Sequence, residues 1–142
     1  MTPAFWDTNA LIPLCVQQQP GPAVRQLLER HEIAVWWSTP VEMRSDFERL
    51  LRMGQLTAPE HKAAGARLEQ LRSGWRELQP SDLLRSQAEI FLMGHPLKAA
   101  DALQLAAAWI WCSGNPQRCV FISGDAQRLE AARQAGFQVV AI

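Results

Sequence analysis

Ala4-Phe5-Trp6-Asp7-Thr8-Asn9 passes from three apolar side chains straight into a carboxylate, a hydroxyl and an amide. That is the outline of a buried strand whose polar groups collect at its C-terminal tip. In an open α/β sheet, ligands bind at that edge, in the crevice where the strand order reverses. Asp, Thr and Asn also favour turns and helix caps. The stretch alone supports either reading, and the rest of the chain decides between them.

Outward from this point the chain alternates. A first strand, Ala4 to Asp7, leads into a short helix over Ala10–Gln17, with Pro13 near its start and Pro20-Gly21-Pro22 ending it. Ala23 to His31 reads as helical, with Val24, Leu27 and Leu28 on one face. Ile33-Ala34-Val35-Trp36-Trp37 suits a parallel strand buried on both faces, its two tryptophans in the core on opposite sides. Thr39-Pro40-Val41-Glu42 carries a hydroxyl N-cap, proline at the first helical position and Glu three residues after the cap. The helix it opens runs to about Met53, where Gly54 closes it.

Thr57-Ala58-Pro59-Glu60 repeats that start signature, and Ala64, Leu68, Leu71 and Trp75 follow at helical spacing. Gly74 interrupts the helix before a short strand over Trp75–Leu78. Pro80-Ser81-Asp82 begins a helix through Leu92, ended by Gly94 and Pro96, and Lys98 to Cys112 is a long alanine-rich helix. Cys119 to Ile122 is a buried strand, Asp125 to Ala135 a helix, and Phe137 to Ile142 a final strand introduced by Gly136. The alternation predicts an α/β fold in three layers, α/β/α. A central parallel sheet of four to five strands has helices on both faces and right-handed crossovers. A single domain over residues 1–142 accommodates it, long enough to bury a substantial core.

Fourteen basic and fourteen acidic residues balance to zero. That excludes a protein coating nucleic acid through bulk positive charge. It leaves open an enzyme that neutralises phosphate locally with metal ions. Cys15, Cys112 and Cys119 form no C-x-x-C pair and read as small core residues in a reducing compartment. No basic segment followed by a long apolar run marks a secretory signal, and the apolar block Leu105–Cys112 is too short to span a bilayer. The expected location is the cytoplasm, without membrane contact.

Four carboxylates stand out: Asp7, Glu42, Asp101 and Asp125. Each also suits a helix start, as a cap or as a negative charge facing the dipole. In a parallel sheet, however, every helix that directly follows a strand starts at the same edge. Asp7, Glu42 and Asp125 follow strands and must share that edge. Asp101 follows another helix, so topology alone does not place it there.

Pro96-Leu97-Lys98-Ala99-Ala100-Asp101-Ala102-Leu103-Gln104-Leu105-Ala106 resembles the third-acid segment of PIN-domain nucleases. Phe5-Trp6-Asp7-Thr8-Asn9-Ala10-Leu11 is similar to their opening motif, and Val120-Phe121-Ile122-Ser123-Gly124-Asp125 to their fourth-acid strand. Glu42 fits the second acid. The motifs cover nearly the whole chain in the expected order, each short and moderately specific, and the size without appended domains looks most like the toxin of VapBC-type toxin–antitoxin pairs. The departures are Trp6, bulky before the first Asp, Ser123 in place of the common threonine, and Gly124 before the fourth acid.

The resemblance implies a PIN-like fold and an endoribonuclease that uses Mg²⁺ or Mn²⁺ to hydrolyse RNA phosphodiesters. It also implies a cognate antitoxin partner. Such ions want carboxylate and water oxygens; His31, His61 and His95 share no ligand spacing and read as surface or loop residues. Without metal, four convergent acids repel one another, and at least one has a raised pKa. The resemblance makes Asp7 and Asp101 the expected direct ligands. Glu42 and Asp125 then hold a second ion or orient water. Thr8, Asn9 and Ser123 are candidates for fixing carboxylate rotamers by hydrogen bonds.

Lys98, one turn before Asp101, is a candidate phosphate contact; Arg44, Arg49 and Arg52 read more simply as a solvated helix face with Asp46 and Glu48. Trp109 and Trp111 lie about 200° apart around their helix, so both do not face one core. That leaves one for a subunit interface and suggests a homodimer. Three rival readings are a haloacid-dehalogenase-like phosphatase, a non-catalytic binding module and a nuclease of RNA processing that is no toxin. The first needs a second Asp where Asn9 stands.

Overall fold

Side-chain alternation along the first strand sorts the molecule into layers. The computed structural model describes residues 2–17 and 20–142. Strand β1, Thr2–Trp6, sends Ala4 and Trp6 to one face and Phe5 to the other, all fully buried. Helices α1 (Thr8–Val16) and α2 (Pro22–Arg30) follow, then β2 (His31–Trp36), α3 (Thr39–Arg52), α4 (Ala58–Arg72) and β3 (Arg76–Leu78). Helices α5 (Asp82–Gly94) and α6 (Ala99–Trp111) come next. A 3₁₀ turn at Pro116–Arg118 then leads to β4 (Val120–Ser123), α7 (Ala126–Gln134) and β5 (Gln138–Ala141).

The five strands pair in the order β3-β2-β1-β4-β5, every pairing parallel. On one face Trp6, Val35, Val120 and Ile122 pack with Leu11 of α1, Met43 and Phe47 of α3 and Leu68 of α4. On the other, Phe5, Trp36 and Phe121 pack with α5, α6 and α7. Phe5 and Phe121 stack at 6.1 Å across adjacent strands. The alanines of α6, Ala102, Ala106, Ala107 and Ala108, let that helix lie close on the sheet. This is the expected three-layer α/β/α architecture with a parallel sheet. Among the described residues no helix is long and apolar enough to cross a membrane.

The departures are local. Pro20-Gly21-Pro22 opens a helix, because Pro22 takes the first helical position, where its fixed φ suits the turn, whereas α1 already ends at Val16. Strand β2 begins at His31 because it pairs with β1 from Thr2 onward. It stops at Trp36, so Trp37 is not a core residue and is half exposed. Trp109 and Trp111 are both partly buried against the α5–α6 layer, Trp109 meeting Phe91 edge-on at 5.8 Å, so neither is left bare for a partner. Gly54 and Gly136 take positive φ after α3 and α7, as helix-ending glycines do.

The two repeated start signatures part company. Thr57 and Glu60 form a reciprocal capping box, with N–H to side-chain oxygen distances of 2.9 and 3.2 Å. At the other, Ser38 is the capping residue, Thr39 is already helical, and its buried hydroxyl has no protein partner. Glu42 therefore makes no box with Thr39, and its carboxylate is directed elsewhere.

Candidate functional site

Strand β1 lies between β2 and β4, and the chain runs outward to β3 before returning to β4. The strand order therefore reverses between β1 and β4, and their C-terminal ends bound the crevice such a reversal creates. Asp7 sits at the end of β1 with its N–H bonded to the carbonyl of Ile122 at 2.9 Å, so sheet pairing fixes its backbone. Its backbone begins α1, but its carboxylate points into the site. The Ser123 hydroxyl donates to Oδ2 at 2.8 Å, and Nη1 of Arg128 reaches Oδ1 and Oδ2 at 3.0 and 2.9 Å.

Arg128 is the junction of the site. Its Nη2 lies 2.5 Å from Oδ1 of Asp101, so one guanidinium holds two acids from distant parts of the chain. Its backbone N–H donates to Asp125 Oδ1 at 3.0 Å, which makes Asp125 the side-chain cap of α7. Burial works against the charge of Arg128, but Asp7, Asp101 and Asp125 outweigh it and raise its pKa. The Ser123–Asp125 turn is tied to the start of α1. Asn9 Oδ1 accepts the Gly124 N–H at 2.8 Å, and Ser123 Oγ accepts the Asp125 N–H at 3.0 Å.

Glu42 anchors the other half of the crevice. Its Oε2 accepts from Ser38 Oγ at 2.9 Å, Thr8 Oγ1 at 3.2 Å and Gln104 Nε2 at 2.9 Å. Gln104 is itself fully buried and also donates to Thr8 Oγ1 at 2.7 Å. It lies three residues after Asp101 on α6, so one helical turn joins the two groups of acids. Thr8, Asn9, Glu42, Ser45, Asp46 and Arg128 line a crevice of about 440 Å³.

Asp7, Asp101 and Asp125 thus surround one guanidinium, with Glu42 on the adjoining wall. Thr8, Asn9 and Ser123 hydrogen-bond to this framework. Lys98 is exposed, and its backbone N–H contacts Asp101 Oδ2 at 3.4 Å. Arg44 and Arg49 pair with Glu69 and Asp46. Three participants escape a reading of the sequence: Arg128, Gln104 and Ser38. A signal for Arg128 does exist, since a cation in the first turn of a helix opposes the dipole and calls for a compensating anion.

Among the described residues no three acids, histidines or cysteines close on a point as a ready-made metal cage. The donor chemistry nevertheless fits a hard divalent cation. The groups are oxygens only, and Asp7 and Asp101 already converge on a positive charge, that of Arg128. Asp7 and Asp101 are the residues that would hold such an ion, with Asp125 and Glu42 flanking them.

Burial, the largest influence on each, raises the carboxyl pKa of Asp7 above 3.8 and that of Glu42 above 4.5, against the pull of their donors. An acid raised by folding stabilises the native state fully below its unfolded pKa, and that contribution disappears as pH climbs through the folded value. Glu42→Gln removes one such group. In chelator, its thermal midpoint minus that of wild type is expected to be constant below pH 4.5 and to grow as pH rises beyond it. A difference that shrinks with rising pH contradicts the assignment.

No protein-family model matches the sequence, and neither does any curated protein. Solved structures do match in three dimensions. VapBC2 from Rickettsia felis, bound to a DNA fragment from its promoter, superposes with a TM-score of 0.67 at 10% identity, covering 98% of both chains. FitAcB from Neisseria gonorrhoeae gives 0.65 at 19% identity, over 96% of this chain and 95% of that one. A toxin–antitoxin complex from Klebsiella pneumoniae gives 0.66 at 20%, over 97% and 96%. The fold is therefore PIN-like from end to end.

Proposed function

We propose that this chain is a metal-dependent endoribonuclease and the toxin of a toxin–antitoxin pair. The observation that carries the reading is the meeting of Asp7 and Asp101 on one cation at the rim where β1 and β4 end. The solved structures of the same fold that are toxin–antitoxin assemblies support the toxin role and a protein antitoxin as partner.

Mg²⁺ or Mn²⁺, when bound, supplies a Lewis acid for the phosphoryl group and lowers the pKa of an attacking water. The chain's own part is positional. Asp7 and Asp101 hold the ion, and Ser123 fixes the rotamer of Asp7 through its hydroxyl. Glu42, held by Ser38, Thr8 and Gln104, presents its carboxylate to the crevice to orient water. Asp125 stands ready for a second ion, and Lys98 is a candidate contact for the RNA backbone. A homodimer belongs to the same reading. Leu83, Ile90 and Met93, exposed on α5 at helical spacing, support it in place of Trp109 or Trp111, and light scattering reads that state directly.

The deciding experiment is cleavage of a mixed RNA pool by the purified chain. Mg²⁺ or Mn²⁺ is expected to support cleavage to products with 5′-phosphates, and chelator to stop it. Cleavage that persists in chelator overturns the metal-dependent reading. Growth arrest on expression, relieved by a small co-expressed partner, is the expected mark of a toxin. Cleavage without arrest indicates a processing nuclease.

A further inference from the structure

We propose that Arg128 is a resident counter-cation of the acid site, occupying the place of the divalent ion, so that guanidinium and metal bind Asp7 and Asp101 in turn and never together. The inference rests on the metal-dependent reading above.

The geometry is that of a filled position. Asp7 commits both oxygens to Nη1, and Oδ2 also takes the Ser123 hydroxyl. Asp101 commits Oδ1 to Nη2 at 2.5 Å. A second positive centre bound by the same oxygens would stand against the first at close range. The guanidinium is also not a chance visitor. Its residue sits in the first turn of α7, with its own N–H held by Asp125, so the side chain leaves the helix directly among the acids.

That position is unfavourable for a cation on every other ground. The N-terminal turn of a helix presents the positive end of its dipole, and the buried Nε of Arg128 has no protein partner. Only the carboxylates account for a positive charge there. Displaced by an ion, the side chain has somewhere to go, because Arg128 already forms part of the crevice wall with Glu42 and Ser45.

When a competing group fills a site most of the time, the apparent affinity of a ligand is its intrinsic affinity multiplied by the fraction of molecules left open. Removing the competitor therefore tightens binding. Mn²⁺ binding is measured by the spin-resonance signal of the free ion, at fixed pH and ionic strength, for wild type, Arg128→Gln, Arg128→Lys and Asp7→Asn. Arg128→Gln keeps an N–H donor for Asp7, which protects folding, and is expected to bind Mn²⁺ at least about tenfold more tightly than wild type.

Arg128→Lys retains the charge and stays close to wild type, while Asp7→Asn binds less tightly than either. At one Mn²⁺ concentration, the melting midpoint of Arg128→Gln is expected to rise further than that of wild type. Equal or weaker binding by Arg128→Gln overturns the proposal and leaves the metal reading standing. Tightening by Arg128→Lys as large as that of Arg128→Gln also overturns it, since charge would then not be the cause. Mn²⁺ binding by neither wild type nor Arg128→Gln removes the metal reading itself, and the proposal with it.

Discussion

Asp7→Asn is expected to cut RNA cleavage by roughly 10²–10³-fold, the size of loss seen when one electrostatic group aimed at the reacting charge is removed, while the chain stays folded. The two halves of that expectation have different origins. Activity falls because Asp7 is the most deeply placed acid of the site and shares its cation with Asp101. Stability holds because Arg128 keeps Asp101 as its partner and is partly exposed, so the amide leaves no fully buried charge unpaired. Asparagine keeps one oxygen to accept from Ser123 or Arg128. The assay pairs initial cleavage rates with a circular-dichroism melt. Near-wild-type turnover in a folded variant would remove Asp7 from the chemistry. A variant that fails to fold would give this carboxylate a structural role instead.

Arg128→Ala carries the largest expected loss of stability. Taking one partner from a buried ion pair costs about 3–5 kcal/mol, because the other charge is left unpaired. The guanidinium is a quarter exposed whereas Asp7 is fully buried, which favours the lower end of that range. In a chain of this length the cost corresponds to a fall of roughly 10 °C in the melting midpoint, measured in chelator so that no ion replaces the lost charge. The double variant Asp7→Asn, Arg128→Ala removes the fully buried orphan, leaving only the partly exposed Asp101 without its cation, and is expected to recover most of the loss. Neighbours in one charge network give non-additive effects of this kind, and independent sites do not. Strict additivity would mean that the pair contributes nothing in solution.

The reading of the sequence reached the architecture and named four acids that the fold brings to one crevice, and it failed where local rules were overruled by distant partners. The chain has Thr and Glu three apart at 39 and 42 and again at 57 and 60. The second pair forms the capping box that its spacing predicts, because nothing else competes for Glu60 on an exposed turn. The first pair does not, because Thr8 and Gln104 lie within reach of Glu42 once α1 and α6 have packed.

Asp101 could not be placed by topology, since its helix follows another helix. It is the packing of α6 on the sheet, through a face of small residues, that delivers it. Arg128 was missed for the opposite reason, its one signal being a cation set against the helix dipole. Its local setting is unfavourable, and only acids far away in sequence make it sensible. Trp37 was misplaced because an unbroken apolar run does not announce where strand pairing stops.

The central position of β1 has a temporal consequence. The strand that bears Asp7 is built by the ribosome well before β4, the neighbour that completes its pairing and brings Ser123 and Asp125 alongside. Contacts this far apart in the chain form late. A nascent polypeptide that has not yet extended past β4 therefore lacks Ser123 and Arg128, the two side chains that hold the Asp7 carboxylate in place.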